Sequence, residues 1–236
     1  MGKIMAFGGA DFKNGQMLDV AKIMIALTGK KKPHFLLLPT ASHDQVDDQD
    51  ERYLVFGDAY GCPCRTLFLT HQETTEEVIR ETIAWADIIF ARGGNLKFLM
   101  DTWRATRADV YLKQAYDRGT LLCGSSSGAM CWFQEGRDDC GENSAFMNIP
   151  CLGLLPFTSG PHFEHPFWHS FENAVKEGAL SSVGMENGAA FCYVDGHYFT
   201  LHGRDGGSCY FYDAANGFEK TNLHDFPEKC DTLPQP

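Results

Sequence analysis

Several features are scarce or missing in this 236-residue chain, and each removes a class of function. No uninterrupted apolar run approaches the roughly 20 residues that a membrane-crossing helix needs. Positive charge is short: 20 Lys and Arg face 31 Asp and Glu, for a net charge of −11. Such a surface repels phosphate backbones, so nucleic acid is not expected as a partner. There is no internal repeat, low-complexity tract or linker-like stretch, and no C-x-x-C pair. The nine cysteines are odd in number and scattered, and the closest pair, Cys62-Pro63-Cys64, lacks the spacing of a zinc or redox motif. They read as reduced, mostly buried thiols. The N-terminus, Met1 to Gly9, has one lysine and a short apolar stretch that runs into glycine, which predicts a first β-strand rather than a leader peptide. A cytoplasmic protein with no membrane partner is the expectation.

What is present is the ordinary balance of a globular chain, 44% hydrophobic and 22% charged, enough for a sizeable core. Short apolar runs alternate with amphipathic ones. Strands are predicted at 3–9, 34–39, 65–69, 86–91 and 120–124, and helices at 17–28, 47–60, from Thr74 onward, at 110–118 and from Ser127 onward. Thr74 and Glu77 stand at capping-box spacing. The run His34 to Pro39 is apolar without alternation, as a parallel strand buried on both faces requires. The pattern predicts a single-domain, doubly wound, mainly parallel α/β sheet. Beyond Gly136 it weakens. A helix is expected at 172–177, then a partly antiparallel strand extension over 183–212 with Asp195-Gly196 as a hairpin turn. The domain is placed at 1–212 and a polar tail at 213–236.

Gly124-Ser125-Ser126-Ser127-Gly128 is a G-x-S-x-G arrangement between a predicted strand and a predicted helix. A nucleophile on such a strained turn would collide with side chains two residues away on either side, and glycine removes them. Ser126 is the central residue and the candidate nucleophile. Arg92-Gly93-Gly94-Asn95 ends another parallel strand, and loops at the carboxyl ends of strands share one crevice. The N–H groups of Gly94 and Ser127 are candidates for an oxyanion hole, and Asn95 also suits a helix cap. A serine hydroxyl needs a base, and among nine histidines His162 follows a Pro-flanked loop after an apolar segment, which suits a fixed position at a sheet edge. A metal site from His162, His165 and His169 is disfavoured: Pro166 breaks the spacing and Glu164 is the one acidic ligand nearby.

These segments, with Lys32–Ser42, Ala86–Ile89, Cys131-Trp132-Phe133, Cys151–Pro156, Pro161-His162 and Asn187–Ala190, resemble the peptidase E, or aspartyl dipeptidase, family of serine peptidases, with cyanophycinase a more distant member. The resemblance runs from about residue 3 to residue 212. It implies a class I glutamine-amidotransferase-like sheet, a Ser-His-Glu triad, no metal or cofactor, and short peptide substrates with an N-terminal aspartate. Carried over by motif, Ser126 is the nucleophile, His162 the base and Glu186 the acid, with Asp139 as rival acid. The chain departs from the family in three places. Ser127 stands where alanine is usual, and Leu96 where threonine is usual. The arginine that pairs with the substrate aspartate is missing from Phe163-Glu164-His165-Pro166-Phe167-Trp168-His169. Altered specificity is implied, with His165, His169, Arg137 or Arg204 as substitute readers and Asn95, His165 and Trp168 as candidate substrate contacts. Alternatives are a non-catalytic binding protein on the same fold, a hydrolase of β-aspartyl or isopeptide bonds, and an amidotransferase-type glutaminase, against which serine at the elbow argues. A monomer or homodimer is expected.

Overall fold

The computed structural model describes residues 2–10, 18–46, 50–139, 146–165, 180–202 and 206–223, together with Phe171, Val175 and Gly178. It is a mixed α/β fold built on two sheets. The first half alternates as its hydrophobic pattern dictates: β1 (Lys3–Phe7), α1 (Leu18–Leu27), β2 (Phe35–Leu38), α2 (Glu51–Tyr53), β3 (Cys64–Thr66), α3 (Glu76–Trp85), β4 (Ile88–Ala91), α4 (Leu96–Ala105), α5 (Ala108–Asp117), β5 (Leu121–Ser125) and α6 (Ser127–Met130). The second half is nearly all strand: β6 (Phe133–Asp138), β7 (Met147–Pro150), β8 (Leu155–Gly160), β9 (Ser182–Met185), β10 (Ala189–Val194), β11 (His197–His202), β12 (Cys209–Asp213) and β13 (Glu219–Asn222).

Seven strands form one sheet in the order β11-β10-β1-β5-β4-β2-β3, with β1, β5, β4, β2 and β3 parallel. Alternate residues of these strands go to opposite faces, and both faces are covered. Met5, Phe7, Phe35, Leu37, Ile88 and Phe90 pack toward α1 and the segment after α2. Ile4, Leu36, Leu38, Ile89 and Leu122 pack toward α3, α4 and α5, in the core that holds Trp103 and Trp132. The Asp195-Gly196 turn closes the β10–β11 hairpin with positive φ at both residues, as a tight hairpin requires.

The six strands β13-β12-β9-β8-β6-β7 form the second sheet, in which β6, β8 and β9 are parallel. The sequence pattern did not separate this sheet from the first. Three local expectations change with it. The helix expected from Ser127 is one turn long, because β6 begins at Phe133 and draws the chain away. Residues 219–222 of the presumed polar tail pair with β12. The predicted helix at 47–60 is a short α-turn, Glu51–Tyr53, running into a wide π-turn over Leu54–Ala59, with residues 47–49 outside the described residues. Capping also shifts by one residue: Thr75 accepts from the Val78 N–H, while Thr74 donates to the Phe68 carbonyl. The helix expected at 172–177 lies outside the described residues apart from Val175.

Candidate active site

Ser126 sits between β5 and α6 with φ 58° and ψ −126°, a conformation that non-glycine residues rarely adopt. Holding it costs on the order of 1–3 kcal/mol, which the surrounding packing offsets. The turn explains its own glycines. A Cβ on Gly124 would overlap the Gly128 carbonyl oxygen, and a Cβ on Gly128 would overlap that of Ala91 at the end of β4. A Cβ on Gly93 would come within 2.9 Å of the Ser126 Cβ. The Ser126 N–H donates to the Phe7 carbonyl at 3.0 Å, and the Ala10 N–H donates to Ser125 Oγ at 2.9 Å. Ser126 and its turn are thus tied to the carboxyl ends of β1, β4 and β5.

The partner comes from the other sheet. His162 follows β8, and its N–H donates to the Gly8 carbonyl at 3.2 Å. Phe163 anchors the segment: its N–H donates to the Met185 carbonyl, and its ring lies against Gly184, where a Cβ would approach within 2.8 Å. His162 Nε2 lies 2.9 Å from Ser126 Oγ. His162 Nδ1 lies 2.7 Å from Asn187 Oδ1. Glu164 fixes the direction of this chain. Its carboxylate accepts from the Asn187 backbone N–H at 2.9 Å and from Asn187 Nδ2. A carboxylate only accepts, so the amide nitrogen faces Glu164 and the carbonyl oxygen faces His162. Nδ1 therefore carries the proton, and Nε2 is left to accept from the serine hydroxyl.

The expected acid is placed elsewhere. Glu186 makes no hydrogen bond to His162 among the described residues. Its carboxylate accepts from the Ser208 N–H at 2.8 Å and from the Tyr210 hydroxyl at 3.1 Å. In extended backbone, successive side chains point in opposite directions, so Asn187 faces the histidine and Glu186 faces β12. Asp139 is exposed at the end of β6, where its N–H donates to Asp138. Asp138 is buried and caps α4 by accepting from the Leu96 N–H at 2.9 Å; burial raises its pKa. Asn95 also serves α4: its Oδ1 accepts from the Phe98 N–H at 2.8 Å, so its side chain is committed to the helix. Ser127 is buried, and its hydroxyl donates to the Gly94 carbonyl at 2.6 Å. His165 is exposed three residues beyond His162, and Arg137 bonds Asn148 and stacks on Phe146. Trp168, Phe167, His169 and Arg204 lie outside the described residues.

Sequence reasoning missed Asn187 and Glu164 as a pair, and Gly9. A Cβ on Gly9 would overlap Asn187 Oδ1 and come within 3.0 Å of His162 Cε1. Gly9 also pairs with Asn187 in an isolated parallel bridge, so the two sheets meet beside Ser126, His162 and Asn187. Beside Ser125 and Gly93 opens a cavity of about 320 Å³ that Arg52 and Arg92 also line. Among the described residues, no group of three or more His, Cys, Asp or Glu side chains is placed to hold a metal ion. No described helix is long and apolar enough to cross a membrane.

A doubly wound sheet with a strained serine hydrogen-bonded to a histidine defines the hydrolase class built on a nucleophile elbow. The particular family follows from comparison: the model of peptidase family S51 matches residues 4–201, and the chain belongs to that family and is a serine peptidase. It is 26% identical over 217 residues to the uncharacterized peptidase YgaJ of Bacillus subtilis (strain 168), covering 89% of this chain and 91% of that protein. Its fold is similar to the crystal structure of a peptidase from an acI-B1 Actinobacterium, with a TM-score of 0.75 at 19% identity over 95% of each chain. It is also similar to a putative peptidase E protein from Listeria monocytogenes EGD-e, with a TM-score of 0.64 at 18% identity over 86% of this chain and 98% of that one.

Proposed function

We propose that this chain hydrolyses short peptides through a Ser126-His162-Asn187 relay that Glu164 steadies. The observation that carries the reading is the 2.9 Å approach of His162 Nε2 to the hydroxyl of a serine held at positive φ. His162 takes the Ser126 proton as the oxygen attacks the peptide carbonyl, then delivers it to the leaving amine. Water repeats the sequence to release the acyl group. Asn187 holds the imidazole in the tautomer that accepts at Nε2, the role a carboxylate plays in other triads. A neutral amide cannot stabilise the imidazolium by charge, and Glu164, one hydrogen bond further out, supplies the negative charge at a distance.

The N–H groups of Gly94 and Ser127 are assigned to the developing oxyanion. Ser127 is the first residue of α6, so its N–H has no carbonyl one turn earlier to bond. The Gly94–Asn95 peptide is pinned on both sides, by the Ser127 hydroxyl on its carbonyl and by the Ala41 carbonyl on its N–H. The serine found in place of the usual alanine thus ties the two halves of the proposed hole together. A thiol mechanism has no support: Cys123 and Cys131 are fully buried, and burial pushes both well above the ordinary thiol range. Specificity falls to groups other than an arginine after the histidine.

The test is hydrolysis of a mixed dipeptide and tripeptide panel, followed by mass spectrometry. Ser126→Ala is expected to lower turnover by about 10⁴- to 10⁶-fold while leaving the fold intact. Undiminished cleavage by that variant would overturn the serine mechanism. Absence of cleavage by the wild-type protein would favour a binding role, or a substrate outside ordinary α-peptides such as a β-aspartyl one.

A further inference from the structure

The cavity beside the nucleophile has a charge pattern that the peptide backbone alone does not call for. Arg52 and Arg92 both line it, next to Gly93 and Ser125. They converge on a single carboxylate, Asp50, whose side chain is only 2% exposed. Arg52 Nη2 donates to Asp50 Oδ2 at 2.9 Å, and Arg92 Nη1 stands 3.6 Å from the same oxygen. Arg92 Nη1 also donates to the Gln45 carbonyl at 2.9 Å. Its other edge, Nε and Nη2, has no hydrogen bond among the described residues, and the side chain is 28% exposed. Asp50 neutralises one of the two guanidinium groups. Glu51 is the acid that lines the cavity itself.

From these contacts we infer that the Arg52–Arg92 cavity is a specificity subsite that takes a carboxylate of the substrate on the open edge of Arg92. The inference rests on Ser126 being the nucleophile. A guanidinium held on one edge and open on the other presents two parallel N–H donors at fixed geometry, the arrangement that matches a carboxylate. Asp50 holds Arg92 in place before substrate arrives, which reduces the ordering cost of binding. Arg52 lies beneath, with its guanidinium 5.4 Å from the centre of the Phe90 ring, and adds positive potential from a poorly hydrated position. The position follows from topology. Arg92 is the first residue after β4, one residue before Gly93, whose backbone packs on Ser126. A carboxylate reader missing from the loop after His162 is thereby supplied from the first sheet.

Two sources of carboxylate fit: an acidic side chain next to the scissile bond, or the free C-terminus of a dipeptide. Four probes separate them: Asp-Ala, Asn-Ala, and the C-terminal amide of each. Removing the carboxylate that occupies the subsite is expected to lower wild-type kcat/KM by about 10- to 100-fold, and an Asp/Asn or an acid/amide ratio identifies the source. Arg92→Gln is expected to bring that ratio close to one, and Arg92→Lys to leave it partly intact. Glu51→Gln is expected to raise it. Calorimetric binding of the same four peptides to Ser126→Ala reads the subsite without turnover, so failure of the peptidase reading and failure of this one are distinguishable. Equal kcat/KM for all four peptides in the wild-type protein, ratios untouched by Arg92→Gln, or equal or absent binding of the four to Ser126→Ala would each overturn the inference.

Discussion

In the seven-stranded sheet the strands that carry Ser126 are filled by their own side chains. Phe35–Leu38, Ile88–Ala91 and Leu121–Cys123 are buried throughout and apolar on both faces. The six-stranded sheet, which carries His162 and Asn187, is built differently. Its central strands bring Gly160 and Gly184 to the places where Phe171 and Phe163 lie against bare backbone, so the bulk is supplied by rings from outside the strand. A strand that supplies its own volume can be read from its composition. A strand that receives its volume is harder to read: Thr158-Ser159-Gly160 of β8 has the composition of a turn, whereas β9 fell within the predicted strand extension. The first sheet thus presents one strained residue on a rigid frame, whereas the second presents a hydrogen-bonded relay whose position depends on docking against the first.

Three substitutions probe that difference. The largest effect is expected from Asn187→Ala, which removes the group that orients His162 and leaves the first sheet unaltered. It should lower kcat by about 10²- to 10⁴-fold with KM little changed, while Glu186→Gln stays within a few-fold of wild type. Steady-state kinetics on any substrate found in the peptide panel checks this, and the reverse ranking would restore Glu186 as the acid. A smaller loss, about 10- to 100-fold, is expected for Gly9→Ala. Its methyl group would wedge Asn187 and His162 away from β1 while Ser126 stays on its turn. Retained labelling of Ser126 by a fluorophosphonate, at a reduced rate, would separate a displaced relay from a collapsed elbow. The smallest effect is expected for Ser127→Ala, which deletes the hydroxyl on the Gly94 carbonyl. It should cost about 0.5–1.5 kcal/mol of stability in a denaturant titration and only a few-fold in kcat. A loss comparable to that of Asn187→Ala would show that the pinned Gly94–Asn95 peptide matters as much as the relay.

How much was legible follows the same division. Ser126 could be read directly, because the steric demands of its turn are written in Gly124 and Gly128. His162 came from resemblance, and its identity as the partner is visible only once β8 and β5 are side by side. Asn187 was present in a recognised segment, but its neighbour Glu186 carries the more obvious chemistry. Only the alternation of side chains along extended backbone decides which of the two faces the histidine, and that depends on a register the linear sequence does not display. Arg92 stood next to Gly93-Gly94 without a role, because its value depends on Asp50 and Arg52, which reach it from 42 and 40 positions earlier in the chain.

The meeting of Gly8 and Gly9 with His162 and Asn187 also bears on when the protein becomes able to act. The sheet that presents Ser126 draws its parallel strands from the first 125 residues, whereas His162 and Asn187 follow β8 and β9, later in the chain. A chain emerging from the ribosome with only β1 to β5 formed presents Ser126 without the histidine that the proposed relay requires. On the proposed relay, competence arrives only when His162 and Asn187 have docked against Gly8 and Gly9, so nascent and partly folded copies are inert toward the peptides around them.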